Sequence, residues 1–263
     1  SSDVCSSDLG EALDSSVVAN NNRNENDIAY NFDQFFQAKI EAFNNVDFHA
    51  GIRHSLVNER FSNHPALTGA SINGVLNFEK TSPVTGVIWK LNPSVNLYAN
   101  YGEGFETPTL IETAYSSASS NAGPNLNLKA STSENYELGL KAFILKETQL
   151  GVAYYKVKTE NEIVIEQNST YTKYQNSPKT GREGIEFSMD SKLPSNFNFY
   201  TSYTYLDAKF NSQYTSGVGA TPGATGIVNK GNIIPGTYKQ QIYAELAWKY
   251  PAYNFKTALR SEE

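Results

Sequence analysis

The sequence contains little cysteine and little charge, and it has no long apolar run. Its single cysteine, Cys5, leaves no second thiol for an internal disulfide. Charged residues make up 18% of the 263 residues, against roughly 25% in typical soluble domains. The net charge of −6 argues against a nucleic-acid partner, because such proteins usually carry a basic patch. No segment approaches the ~18 apolar residues of a transmembrane helix, so we expect no spanning helix.

Motifs for catalysis and for metal binding are also missing from the sequence. There is no Gly-x-Ser-x-Gly element, no phosphate-binding loop and no cluster of cysteine and histidine. Of the three histidines, His49 and His54 are an odd number of residues apart, which places them on opposite faces of one strand. His64 stands apart beside Pro65. We therefore predict no enzyme activity, no catalytic or metal site and no cofactor.

The strongest signal that is present is a regular alternation of apolar and polar residues. Residues 94–101 read SVNLYANY and residues 135–142 read NYELGLKA, so every second position is apolar. A period of two is typical of strands with one apolar and one polar face. The same pattern recurs along the chain. It predicts an all-β protein of about ten strands, each of roughly ten residues, the length that crosses a bilayer at a tilt.

The predicted strands are joined alternately by short turns and long polar connections. We place the short turns at Asn44, Asn92, Lys146, Leu193 and Pro251. We place polar loops over residues 11–27, 59–73, 159–180 and 207–234 and a further loop from Glu106, with one strand interrupted near Pro83. Alternation of short and long connections is the pattern of an outer-membrane β-barrel. The competing interpretation is an ordinary soluble β-sandwich, whose Greek-key links break this order.

Each predicted strand then has a lipid face and a lumen face. The apolar positions expected to face lipid include Val95, Leu97, Leu138, Leu140, Phe199, Leu246 and Trp248. The polar positions expected to line the lumen include Lys39, Glu41, Arg53, Glu137, Lys141, Glu186 and Glu245. Charges are tolerated there because a barrel lumen is filled by water or by protein.

Both ends of the chain carry short segments that show neither the alternation of a strand nor the residues typical of a turn. Residues 1–10 read SSDVCSSDLG and residues 260–263 read RSEE. Both strings resemble translated sequencing-adapter sequence, and the alternative for the first is a disordered tail rich in serine and aspartate. We exclude both from fold reasoning and expect one partial barrel domain over residues 11–259.

Three sequence pieces, in order, carry a family resemblance. Residues 101–108 read Tyr-Gly-x-Gly-Phe-x-x-Pro, residues 125–129 read Asn-Leu-x-Leu-Lys, and residues 133–141 read Ser-x-Asn-Tyr-Glu-Leu-Gly-Leu-Lys. This series resembles the barrel of TonB-dependent outer-membrane receptors of the siderophore-receptor type. The resemblance implies a barrel of about 22 strands around an N-terminal plug domain. Ten strands without the plug would form part of that barrel, an open, curved antiparallel sheet in meander order.

The resemblance also implies a function and a set of partners. Similar receptors take up a ferric siderophore or similar metal chelate across the bacterial outer membrane, with energy supplied by TonB. The implied partners are the chelate, outer-membrane lipid, and the TonB complex through an N-terminal region not contained in this chain. Siderophore sites use loop aromatics, and the candidates in the predicted loops are Tyr115, Tyr171, Tyr174 and Tyr214.

Haem ranks below a siderophore as the implied ligand. Haem receptors of the family keep a histidine between a Phe-Arg-Ala-Pro piece and an Asn-Pro-Asn-Leu piece. Here the corresponding residues 105–108 read Phe-Glu-Thr-Pro and residues 123–126 read Gly-Pro-Asn-Leu, with no histidine between them.

Two other classes of function remain open at this level. One is a passive porin or an outer-membrane barrel enzyme, which would need a Ser/His/Asp set on one rim to be catalytic. The other is a soluble β-rich carbohydrate-binding or adhesion module, which detergent dependence of the isolated protein would distinguish from either barrel.

Overall fold

The computed structural model describes residues 25–63, 73–117, 123–144, 147–167, 172–216, 226–250 and 255–262. Within these ranges the protein is almost entirely β-strand. Helical structure there is limited to the four-residue helix α1 (Leu110–Thr113) and a 3₁₀ turn (Pro194–Asn196). No helix in this part of the chain is long and apolar enough to cross a membrane.

Twelve strands occur in the described ranges. In chain order they are β1 (Glu25–Phe43), β2 (Val46–Asn63), β3 (Gly74–Asn92), β4 (Val95–Glu106), β5 (Ser131–Ile144), β6 (Thr148–Gln167), β7 (Lys173–Leu193), β8 (Phe197–Phe210), β9 (Tyr214–Ser216), β10 (Gly226–Val228), β11 (Gln240–Tyr250) and β12 (Phe255–Glu262).

Ten of these strands form one antiparallel sheet. Strands β1 to β8 pair in sequence order, and β11 and β12 continue the sheet beyond β8. The sheet is open, with β1 and β12 at its two edges, while β9 and β10 form a separate two-stranded sheet. This arrangement confirms the predicted all-β fold of ten antiparallel strands in meander order, as expected for part of a barrel.

Several strands are longer than predicted, so parts of the predicted loops are strand. Strand β1 begins at Glu25, inside the loop predicted over residues 11–27, and β2 continues to Asn63. Strand β3 is not interrupted at Pro83, which pairs with Ile52 of β2. Pairing between β3 and β4 begins only at the next residue, Val84. Proline is tolerated there because no β4 partner remains to receive its missing N–H.

The loop predicted over residues 159–180 is wrong for most of its length. Strand β6 runs to Gln167 and β7 begins at Lys173, so a ladder joins pairs such as Ile163 with Asn176 and Val164 with Gln175. Polar composition suggested a loop, but cross-strand pairs stabilise a polar two-stranded extension. The ion pair of Lys173 with Glu166, at 2.7 Å, is one such contact.

The loop predicted over residues 207–234 is also partly ordered as strand. Strand β8 continues to Phe210, and β9 and β10 pair antiparallel after it. A later segment then adds to β8, since Phe210 N–H donates to Asn232 O and Ile234 N–H donates to Ala208 O. Ala208, Phe210 and Ile234 form a small buried cluster there. Apolar burial therefore orders a segment whose composition is mostly polar.

The register places the predicted apolar residues on one face of the sheet. Leu97 pairs with Leu140, Leu140 with Val152, and Val152 with Phe187, which gives an apolar row across four strands. Many side chains on this sheet are both large and exposed, among them Leu138 at 59%. An exposed apolar face of this extent needs an apolar surrounding.

Candidate functional site

A boundary crosses the apolar face of the sheet about halfway along the strands. The rings of Tyr101 and Tyr136, on neighbouring strands, lie 5.1 Å apart. Each phenol donates to the next carboxylate along its own strand, Tyr101 to Glu103 at 3.1 Å and Tyr136 to Glu134 at 3.0 Å. Tyrosine suits an interface between an apolar and a wet region because its ring is apolar and its hydroxyl is polar.

Charged residues occupy the same level on the neighbouring strands. Lys156, which pairs with Tyr136 in the ladder, contacts Glu183 at 3.2 Å. Lys158 lies 3.7 Å from Glu134. Since charged groups are costly in hydrocarbon, this level marks where the sheet leaves the membrane. We call it the tyrosine boundary, and the parts of the strands beyond it the extensions.

Aromatic residues also lie at the opposite end of the apolar face, beside a short turn. Phe197 and Trp248 stack with ring centroids 6.1 Å apart. The indole N–H of Trp248 donates to Ser195 O at 3.1 Å, in the 3₁₀ turn between β7 and β8. The apolar face thus has aromatic residues at both of its ends, as transmembrane barrels do.

The β4–β5 connection is an ordered segment that packs on the extensions. We call its described residues, 107–117 and 123–130, the strap. Helix α1 within it carries a capping box, in which Thr109 and Glu112 bond each other's backbone N–H groups. Leu110 of α1 packs against a buried cluster of Phe61 on β2 and Leu76 and Phe78 on β3. The strap is therefore held by apolar contact with the β2–β3 extension at α1, and Ala130, its last residue, packs against the same cluster.

The later part of the strap is also held by hydrogen bonds to β7. The side-chain amide of Asn125 donates to Tyr174 O at 2.8 Å. Lys129 N–H donates to the side-chain oxygen of Asn176 at 2.9 Å, and the Asn176 amide donates back to Lys129 O at 2.9 Å. The strap thus connects the β2–β3 extension to the β6–β7 extension.

Beside the β6–β7 extension lies a cavity of about 520 Å³. Its volume falls in the usual range of small-molecule sites. The lining residues are mainly aliphatic and aromatic, and they are Glu162, Ile163, Val164, Ile165, Phe210, Tyr214, Ser216, Val228, Asn232, Ile233, Ile234 and Pro235. We call it the Tyr214 cavity.

Tyr214 is the aromatic side chain of this cavity that carries a hydroxyl group. It is half-buried, and its ring centroid lies 5.3 Å from that of Phe210. Burial, and then the nearby Glu162 carboxylate, raise the pKa of the Tyr214 phenol, which therefore stays protonated and able to donate a hydrogen bond.

Glu162 is held in the wall of the Tyr214 cavity by hydrogen bonds from β7. Its carboxylate accepts hydrogen bonds from both terminal nitrogens of Arg182 and from the hydroxyl of Thr180. The preceding residue, Asn161, has a left-handed backbone with φ of 56°, which interrupts the side-chain alternation of β6. Burial acts to raise the pKa of Glu162, but the bonds from Arg182 and Thr180 outweigh it and lower the pKa. Glu162 lies six residues beyond the tyrosine boundary and remains ionised.

The structure brings three of the four candidate tyrosines to the same end of the sheet. Tyr115 follows α1 in the strap and Tyr174 opens β7, and both are half-buried. The Gln175 side chain donates to Thr215 O at 2.9 Å, which ties β7 to the strand that carries Tyr214. Tyr115 and Tyr174 are not among the residues that line the Tyr214 cavity. Tyr171 lies outside the described residues.

Two further cavities lie on either side of the end of β4. One, of about 360 Å³, is lined by residues that include Asp33, Arg53 and Thr107. The other, of about 410 Å³, includes Glu162 and Arg182, and both include Phe105. The strap begins two residues after Phe105, and its first residue, Thr107, lines the smaller of the two cavities.

The comparisons with known proteins agree with this geometry. The family model described as TonB dependent receptor-like, beta-barrel, matches residues 3–261. The chain belongs to this family. The receptor's barrel accordingly lies in the bacterial outer membrane, and the soluble-module interpretation is wrong.

Solved structures with the same fold are distant in sequence. The ferric-catecholate import receptor Fiu from K12 E. coli is 18% identical, with a TM-score of 0.63 over 87% of this chain and 33% of that one. The siderophore receptor PiuA from Acinetobacter baumannii is 17% identical, with a TM-score of 0.67 over 86% and 32%. The copper transporter OprC is 16% identical, with a TM-score of 0.66 over 84% and 32%. The chain spans about a third of the length of these proteins.

The sequence missed most of the Tyr214 cavity wall. Eleven of the twelve lining residues fall in segments predicted as loops, four at 162–165 and seven between 210 and 234. The signal that was available is the run Glu-Ile-Val-Ile-Glu at residues 162–166, whose β-branched residues favour strand. Among the described residues, no group of three or more histidine, cysteine, aspartate or glutamate side chains is placed to hold a metal ion.

Proposed function

We propose that the receptor containing this chain imports a metal chelate of the ferric siderophore type across the outer membrane, with energy supplied through TonB. The observation that carries the proposal is the Tyr214 cavity, a small-molecule space beyond the tyrosine boundary. In outer-membrane barrels the short turns face the periplasm and the long connections face outside. The cavity lies with the long connections, so a ligand arriving from outside would meet it before the lumen.

The names of the structural neighbours agree on the chemistry of the cargo. They describe a ferric-catecholate import receptor, a siderophore receptor and a copper transporter. Their shared cargo is a metal or its chelate. We propose a ferric chelate for this chain because the Tyr214 cavity offers apolar and aromatic surface, which suits an organic chelator better than a hydrated ion.

Within this function the residues take distinct roles. Tyr214 would stack against the chelator and donate a hydrogen bond from its protonated hydroxyl. Asn232 supplies an amide in the same cavity. Tyr115, Tyr171 and Tyr174 are proposed to contact the ligand from the strap and the β6–β7 connection. The TonB contact is proposed to lie in an N-terminal part of the receptor.

The proposal is tested by ligand binding and uptake in the complete receptor. Equilibrium binding is measured with iron-loaded catecholate, hydroxamate and carboxylate chelators and with Cu²⁺. We expect one ferric chelate to bind and Tyr214→Ala to weaken its affinity by about tenfold, equivalent to about 1.4 kcal/mol. Tyr30→Ala is the matched control, because Tyr30 is an exposed tyrosine on β1 outside the cavity. Equal affinities of the two variants would remove Tyr214 from the site.

Two further measurements separate the alternatives. Uptake of the radiolabelled chelate should stop in cells that lack TonB, whereas persistence of uptake would indicate a passive porin. Deleting residues 116–123 should impair binding and leave the barrel folded. The N–H of Ser116 donates to Gly123 O at 2.8 Å, so these two residues close the base of the deleted segment. Unchanged affinity after the deletion would exclude this part of the connection from the site.

A further inference from the structure

Glu59 is a carboxyl group buried beneath the strap. It lies on β2 opposite Leu76 of β3, two residues before Phe61 of the apolar cluster that receives α1. Only 2% of its surface is exposed, and its Oε2 atom has no hydrogen-bond partner in the described structure. Burying an ionised carboxylate without a partner is strongly unfavourable.

The charged groups that face Glu59 repel its ionised form. Glu112 approaches from α1 in the strap, and Asp27 approaches from β1, while β3 contributes the apolar Leu76. Burial first, then Glu112 and then Asp27, raise the pKa of Glu59 to about 7. Ala50 of β2 pairs with Thr85 of β3, which pairs with Tyr101, so Ala50 marks the tyrosine boundary on β2. Glu59 lies nine residues beyond Ala50 and is therefore well outside the membrane.

We propose that Glu59 and the strap form a pH-dependent latch. The strap docks on the β2–β3 extension while Glu59 carries a proton, and it is released when Glu59 loses that proton. Undocking removes α1 and its Glu112 carboxylate from above Glu59 and admits water to the carboxylate. The hydrogen bonds to β7 from Asn125 and Lys129 involve neutral groups and hold the later part of the strap.

The direction of the effect follows from the raised pKa. With the strap docked, the pKa of Glu59 is about 7. Release of the strap removes the burial and the Glu112 charge and leaves Asp27 on β1 in place, so the pKa falls back toward the ordinary value of 4.5. Docking is therefore strongest below about 4.5, weakens as the pH rises to about 7, and is constant above that. The ratio of docked to released strap falls by at most about 300-fold across this window, since the two pKa values differ by about 2.5 and each pKa unit is a factor of ten.

Release of the strap would change access to the cavities beside β4. Thr107, the first residue of the strap, lines the 360 Å³ cavity, and Phe105 lines both. The latch would thus make these spaces more open at neutral and alkaline pH than in acid. The latch involves the strap and its contacts with the sheet, and it does not depend on the identity of the imported ligand.

Hydrogen exchange of the strap amides tests the latch in the complete receptor. The Thr113 N–H donates to Thr109 O within α1, and a four-residue helix does not persist once undocked. Exchange of peptides covering residues 107–117 is compared between the wild type and Glu59→Gln at the same pH, which removes the intrinsic pH dependence of exchange. At pH 8 we expect the variant to be protected roughly a hundredfold more, and at pH 4 we expect the two proteins to agree.

The matched control is Glu79→Gln, which removes an exposed glutamate on β3. It should exchange like the wild type at both pH values. Asp27→Asn removes one repelling charge and should give protection between those of the wild type and Glu59→Gln at pH 8. Equal protection of the wild type and Glu59→Gln at pH 8 would overturn the latch. A second result would also overturn the latch and needs no variant. It is a wild-type strap whose protection, relative to the intrinsic exchange rate, stays constant between pH 4 and pH 8.

Discussion

The side chain of Asn176 pairs with the backbone of Lys129 as a neighbouring strand would. It accepts from the Lys129 N–H and donates to the Lys129 carbonyl, both at 2.9 Å, across 47 residues of sequence. The same amide group donates to Asn161 O at 2.7 Å. One side chain therefore fixes the strap, β7 and the irregular residue of β6 relative to each other.

Replacing Asn176 by alanine should loosen the strap at its β7 end. The change leaves the Lys129 N–H and two carbonyl groups without their partner, which costs about 1–3 kcal/mol of docking free energy. Hydrogen exchange at Lys129 should rise accordingly. Asn58→Ala is the control, because Asn58 bonds Asn77 on the extensions and is not bonded to the strap. Equal exchange at Lys129 in both variants would show that Asn176 is not the anchor.

Replacing Leu140 by arginine should destabilise the barrel far more than replacing Lys141. Leu140 pairs with Leu97 and Val152 on the apolar face, and an arginine near mid-bilayer costs about 2–4 kcal/mol. Lys141 lies on the other face with its ammonium 5.3 Å from the centre of the Tyr98 ring, a contact worth about 0.5–1 kcal/mol when exposed. Denaturant titration of the receptor in lipid vesicles measures both. Similar costs at the two positions would contradict the lipid-face assignment.

Replacing Glu162 by glutamine should weaken the β6–β7 extension and the Tyr214 cavity. The change removes the negative partner of Arg182, with an expected loss of about 1–3 kcal/mol of local stability. In the wild type the lowered pKa means that this stability is present above the ordinary value of 4.5 and is lost as the pH falls below it.

Hydrogen exchange of β6 residues 161–167 should therefore accelerate in acid relative to the intrinsic rate. The variant should show no such acid dependence. This response is opposite in sign to that of the Glu59 latch, so the two can be distinguished in one pH series. Acid-independent exchange in the wild type would exclude a stabilising role for the ionised Glu162.

Trp89 should report the membrane boundary near the short turns. It is 47% exposed, pairs with Leu97 on the apolar face and lies three residues from the end of β3. Indole rings favour the interfacial region of a bilayer. The fluorescence of Trp89 is obtained as the difference between the wild type and Trp89→Phe. Lipids brominated near the headgroup should quench this fluorescence more strongly than lipids brominated at the chain ends. Stronger quenching by the deep bromines would place this boundary elsewhere.

The sequence by itself determined the fold class, the number of sheet strands and their faces. Runs such as residues 94–101 and 135–142 carry these properties locally, because a period of two assigns every side chain to a face without reference to the rest of the chain. Short turns such as that at Asn44 then make sequence neighbours into sheet neighbours. The family pieces at residues 101–108, 125–129 and 133–141 added the receptor family, which the match over residues 3–261 shows.

Only the tertiary structure decided where the strands end and what lies at the far end of the sheet. Strands β6 and β7 extend through polar sequence because each stabilises the other, and composition read along one strand does not contain that pairing. The cavity beside Tyr214 forms because Phe210 and the segment around Ile234 pack next to it and line its walls. The burial of Glu59 depends on a strap that follows it by about fifty residues. These features arise from contacts between segments distant in sequence, so no local pattern of residues predicts them.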